Sequence, residues 1–116
     1  IRTINNGVAL INYIGHGDPK TWAAEKLITK SRDLPLIHAN DGKLAIWVAG
    51  TCSFGKYNGE NTFMEELLSK KNGAIAVVAS TDVLGYAANS TYLNNLFGLN
   101  NRLTRLQLIK LTLSLE

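Results

Sequence analysis

The sequence predicts an α/β fold in three layers, built on a mainly parallel sheet. Two observations carry this. Three apolar, β-branched runs, at residues 8–14 (VALINYI), 43–51 (KLAIWVAGT) and 74–80 (AIAVVAS), read as strands. The segments between them carry apolar residues at helical spacing, and strands alternating with helices imply parallel pairing through right-handed crossovers.

Residues 8–14 are apolar throughout and end at Gly15, which predicts a strand buried on both faces. Trp22, Ala23, Ala24, Leu27 and Ile28 then recur at roughly helical spacing over residues 21–33, and Pro35 would stop a helix there. Asn40, Asp41 and Gly42 make a turn cluster before the second strand, which delivers Cys52 at its carboxyl end. Residues 55–59 are loop. Thr62 with Glu65 three positions on suits a capping box, Phe63, Met64, Leu67 and Leu68 form an apolar helical face, and Gly73 is the expected cap. The third buried strand follows. A further helix is expected over residues 90–99, while residues 102–116 fit a helix better than the strand that Leu111, Leu113 and Leu115 would make. Three strands leave edges that VALINYI is too apolar to expose, so more strands are expected upstream of Ile1 in a longer parent.

With 116 residues the chain is read as one partial domain, residues 1–116. Twelve basic side chains against nine acidic ones give +3, scattered along the chain without the dense basic, aromatic-interleaved stripe of a nucleic-acid reader. No apolar run approaches the roughly 20 residues that span a bilayer. The single cysteine excludes an internal disulfide and leaves the redox compartment open.

In an open α/β sheet the functional crevice lies beyond the carboxyl ends of the strands. GHGDP, TCSFG and STDVLGY converge there. His16 stands between Gly15 and Gly17, where glycines allow a sharp turn and close approach to a ligand. Cys52 occupies the matching place on the next strand. A neighbouring imidazole can take a thiol proton or hold the thiolate as an ion pair, so the two residues form a candidate dyad. Taken alone, His16 is equally a turn histidine without a role, and Cys52 is more often a buried, inert cysteine.

NYIGHG at 12–17, WAAE at 22–25, TCSFG at 51–55 and NGAIAVVAST at 72–81, in that order, resemble the gingipain-type cysteine peptidases of peptidase family C25. The likeness is greatest to the sortase-like members of the type IX secretion system, and covers residues 12–97. It implies a caspase-like (caspase-hemoglobinase) fold with its N-terminal strands missing here. It implies His16 as general base and Cys52 as nucleophile, with an oxyanion hole formed by the backbone N–H groups of Gly17 and Cys52. Ile14, Gly50, Thr81, Asp82 and Tyr86 would wall the substrate pocket, although Tyr86 reads equally as a half-buried loop aromatic and Asp82 as a turn residue. The acid that orients the histidine is expected upstream of Ile1. Glu25 could substitute, but reads first as a surface or packing residue.

The implied activity is that of an endopeptidase or sortase-like transpeptidase working on protein or peptide substrates through a Cys acyl-enzyme. Other secretion-system components would be partners, and the place of action the cell surface, outer membrane or medium of a Gram-negative bacterium. No cofactor is expected for catalysis. Structural calcium is common in the family, with Asp18, Asp41 or Asn58 as oxygen donors, but no metal site is assigned. The alternative is a truncated or degenerate peptidase domain used as a non-catalytic binding module. Nucleotide binding is remote, since neither GxGxxG nor GxxxxGK[ST] occurs, and two histidines with one cysteine lack zinc-ligand spacing.

Overall fold

In the computed structural model, which describes residues 1–58 and 61–98, the elements run α1 (Arg2–Asn6), β1 (Leu10–Ile14), β2 (Gly17–Asp18), β3 (Thr21–Trp22), β4 (Ile28–Thr29), α2 (Lys30–Asp33), β5 (Ala45–Gly50), α3 (Phe63–Ser69), β6 (Ala74–Ala79) and α4 (Tyr86–Leu96). Short 3-10 turns at Leu34–Leu36 and Asn40–Gly42 lead into β5. The chain divides into two compact units, Ile1–Leu84 and Gly85–Glu116. The helix expected over residues 102–116 lies outside the described residues.

The first unit holds a three-stranded parallel sheet in the order β1-β5-β6. This is the mixed α/β arrangement with a mainly parallel sheet that characterises the caspase-like fold. β5 is central because it is apolar on both faces: Trp47, Val48 and Ala49 are all buried.

β1 departs from the expectation of a strand buried on both faces. Its burial alternates, with Ile11 and Tyr13 against the core while Leu10 and Ile14 remain 40% and 52% exposed. Among the described strands β1 has a neighbour on one side only, so its apolar residues do not suffice to bury it. β6 is likewise only partly buried, with Ile75 half-exposed.

The crossover from β1 to β5 is not the long helix that residues 21–33 predicted. β2, β3 and β4 form a small antiparallel sheet instead, and only Lys30–Asp33 is α-helical. Ala23 and Lys26 adopt positive φ, 64° and 57°, which no α-helix accommodates. The turn between β3 and β4 closes through Lys26 N–H to Ala23 O at 3.1 Å and Leu27 N–H to Trp22 O at 3.0 Å. Trp22, whose spacing mimicked a helical face, is the inward residue of β3, 2% exposed.

Five aromatic rings make the centre of the core. Trp22 stacks on Tyr13 at 4.7 Å and 10°, and meets Trp47 and Phe54 at 5.5 and 5.3 Å; Phe63 contacts Trp47 and Phe54 edge-on. The cluster ties the small sheet to the parallel sheet.

α2 is closed by Asp33, whose buried carboxylate accepts the Thr29 N–H at 2.7 Å and pairs with Arg32. The Arg32 guanidinium holds the Asp33 carboxyl below its ordinary pKa against the opposing effect of burial, and the Thr29 N–H adds to the lowering.

The capping box of α3 is present as expected: Glu65 N–H donates to Thr62 Oγ1 at 3.2 Å and Thr62 N–H to Glu65 Oε2 at 2.9 Å. Gly73, expected as a left-handed cap, has no positive φ; a Cβ there would collide with the Leu67 carbonyl, and close packing makes glycine necessary. In the second unit α4 begins at Tyr86, earlier than residue 90, with Gly85 as its N-cap.

Candidate active site

The carboxyl edge of the parallel sheet assembles the candidate residues. Ile14 pairs in register with Gly50, and Gly15 N–H extends the ladder by donating to Gly50 O at 3.1 Å. His16 and Cys52 therefore leave neighbouring strands at the same offset, each two residues beyond the last register pair. Adjacent strands run about 4.8 Å apart, so the two backbones enter the edge side by side.

The chain bends at Gly15, but neither glycine flanking His16 has positive φ. Close approach explains both. A Cβ on Gly15 would lie 2.5 Å from the Tyr13 hydroxyl, and a Cβ on Gly17 would lie 2.4 Å from Thr51 Oγ1 and 2.8 Å from Thr21 O. The His16 side chain is exposed and has no hydrogen-bond partner among the described residues.

Cys52 is partly exposed and its thiol lies against the Leu84 backbone: Sγ–H donates to Leu84 O at 3.6 Å and Leu84 N–H donates to Sγ at 3.5 Å. An ionised sulfur would keep the second contact, a donor aimed at negative charge. Ser53 follows in the left-handed region at φ 54°, turning the chain sharply after Cys52. Its N–H donates to Asp82 O at 3.0 Å, and Gly55 N–H donates to Ser80 O at 2.8 Å, so the cysteine loop is laced to the segment after β6.

At this edge the Gly17 and Cys52 N–H groups have no acceptor among the described residues. Ala23 N–H donates to His16 O at 2.7 Å, which makes Gly17–Trp22 a non-hydrogen-bonded pair and turns the Gly17 N–H away from β3. The Cys52 N–H likewise donates to no acceptor among the described residues.

Of the expected pocket residues, Ile14 is half-exposed at the end of β1, Gly50 is buried in β5, and Thr81 and Asp82 are exposed in the segment laced to the cysteine loop. Tyr86 opens α4 in the second unit and is 82% exposed rather than half-buried. Glu25 is exposed in the turn between β3 and β4 and makes no hydrogen bond to His16. Its charge, after burial, raises the pKa of Tyr13. Sequence reasoning missed Tyr13, whose hydroxyl donates to His16 O at 2.8 Å; the tyrosine within NYIGHG was the available signal.

Asp18 Oδ1 accepts the Lys20 N–H at 2.7 Å, and no group of three or more His, Cys, Asp or Glu side chains gathers among the described residues. A cavity of about 860 Å³ lies apart from the edge, lined by Lys20, Lys30, Lys70 and Glu66 among others. Lys30 is held there by Glu66 and Asn61 O, and Lys70 by Leu34 O. No helix among the described residues is long and apolar enough to cross a membrane.

A mainly parallel sheet that brings a histidine and a cysteine to adjacent positions on one edge has the form of a caspase-like cysteine peptidase. The chain matches peptidase family C25 over residues 1–110 and belongs to that family, the gingipain type of cysteine peptidase. No curated protein and no solved structure matches it.

Proposed function

We propose that Cys52 is the nucleophile and His16 the general base of a peptide-bond-cleaving or transpeptidating centre. The observation that supports this most is the common offset of the two residues past the Ile14–Gly50 register pair. In this reading His16 takes the thiol proton and the thiolate adds to the scissile carbonyl carbon. The charge that develops on the carbonyl oxygen meets the N–H groups of Gly17 and Cys52, which are worth most where charge appears only in the transition state. Collapse expels the amine, protonated by His16, and leaves a thioester on Cys52. Water then gives hydrolysis, and an amine gives transpeptidation; the family's sortase-like members motivate the second. Ile14, Gly50, Thr81 and Asp82 border the substrate. A surface or secreted setting, with proteins as substrates and secretion components as partners, follows from the family likeness.

The test is alkylation of Cys52 by iodoacetamide at neutral pH. The folded protein should react faster than its urea-unfolded form, and His16→Ala should remove that advantage. A Cys52 that reacts only after unfolding would exclude the dyad and favour a non-catalytic binding module.

A further inference from the structure

The His16 carbonyl oxygen is held from two directions, by the Ala23 N–H at 2.7 Å and the Tyr13 hydroxyl at 2.8 Å. This carbonyl and the Gly17 N–H belong to one peptide unit. The unit is planar and trans, so the N–H points opposite to the C=O, and fixing the oxygen fixes the direction of the hydrogen. Resting on the reading of Gly17 as an oxyanion donor, we propose that Tyr13 is a positioning residue: its hydroxyl locks the His16–Gly17 peptide so that the Gly17 N–H is aimed before substrate arrives.

The surroundings of Tyr13 are built for this task. Its ring lies flat on Trp22, itself buried, which leaves the phenol little freedom to swing. Its backbone is fixed in the ladder opposite Ala49. Gly15 lacks the one atom that would occupy the path of the hydroxyl, since a Cβ there would stand 2.5 Å from the phenolic oxygen. Burial first, and the charge of Glu25 second, raise the Tyr13 pKa, so the group stays a neutral donor through the neutral range. On the other side of the peptide, Gly17 faces Thr51, whose side chain would stand against any Cβ placed there. Preorganisation of this kind lowers a barrier because the dipole needs no reorientation when charge appears.

The test separates chemistry that uses an oxyanion from chemistry that does not. Acylation of Cys52 by p-nitrophenyl acetate proceeds by addition of the thiolate to the ester carbonyl, with the π electrons moving to oxygen. Collapse then expels p-nitrophenolate and leaves an acetyl thioester. Alkylation by iodoacetamide displaces iodide from carbon and forms no oxyanion. In the full-length protein, with Cys52→Ser as the blank, Tyr13→Phe should slow acylation about tenfold, a fraction of the effect of deleting an oxyanion donor outright. Alkylation and its pH profile should stay within about twofold of the unsubstituted protein. Gly15→Ala, which keeps the phenol but displaces it, should reproduce the same split. A Tyr13→Phe protein that loses both rates equally, or neither, overturns the positioning role while leaving the dyad intact. If the unsubstituted protein gives no rate advantage over its unfolded form with either reagent, the dyad reading falls and the Tyr13 role falls with it.

Discussion

At the scale of single residues, the segment Gly15–His16–Gly17 is governed by contact distance. Sequence reasoning marked both glycines for a sharp turn and close approach to a ligand, because composition reports that a Cβ is absent and not what would collide with it. The partners, Tyr13 and Thr51, are short or long range in the chain and become visible only once β1 and β5 are paired. Thr51 yields a prediction of its own. Its hydroxyl is buried and without a hydrogen-bond partner among the described residues, and a buried unsatisfied hydroxyl costs about 1–3 kcal/mol. Thr51→Val keeps the shape and removes the polar atom. Urea unfolding should therefore show a stability equal to the parent's or higher by about 1 kcal/mol. A loss of stability would mean that the hydroxyl has a partner, most directly an ordered water. Gly17→Ala, by contrast, forces a Cβ against Thr51 and the Thr21 carbonyl, and should cost about 1–3 kcal/mol by overpacking.

At the scale of elements, legibility tracked whether the local pattern was also the deciding force. β5, β6 and α3 were readable because apolar runs and a capping box act locally. Residues 21–33 were misread because Trp22, Ala23, Ala24, Leu27 and Ile28 share the period of a helix, yet their backbone is bent by two left-handed residues that are neither glycine nor asparagine. Tertiary contacts of Trp22 overrode helix propensity there. Two predictions belong to this level. Removing the α3 cap with Thr62→Ala should lower the unfolding free energy by about 1 kcal/mol, measured by thermal or chemical denaturation, with the Cys52 alkylation rate unchanged. Asp33 governs an acid limb of stability. Its folded-state pKa is lowered, so its contribution is complete above the ordinary carboxylate range and is lost as pH falls through the lowered value. Asp33→Asn should reduce stability at neutral pH and flatten the decline that the parent shows below about pH 4, followed by circular dichroism. An unchanged acid limb would assign that decline to other carboxylates.

At the scale of the whole first unit, both halves of the candidate site hang on the same aromatic cluster. His16 is anchored through Tyr13, which stacks on Trp22; Cys52 is followed by Phe54, which packs on Trp22 and Phe63. The small antiparallel sheet thus acts as a clamp over the parallel sheet, and the edge that carries the site is tied to the core from both of its strands. Folding and site assembly should be one cooperative event. The chain's two tryptophans, Trp22 and Trp47, both lie in this cluster and are almost fully buried, so their fluorescence reports its integrity directly. In a urea titration the red shift of tryptophan emission should coincide with the loss of any rate difference between folded and unfolded Cys52. Trp22→Ala should cost about 3–5 kcal/mol, a large part of the roughly 5–15 kcal/mol that holds a domain of this kind together. Both transitions should then move to lower urea together, whereas Trp22→Phe, which keeps a ring for Tyr13 to lie on, should move them less. Cys52 reactivity that changes well before the fluorescence would mean that the edge carrying the candidate site melts on its own, and that the aromatic clamp holds the sheets without holding the site.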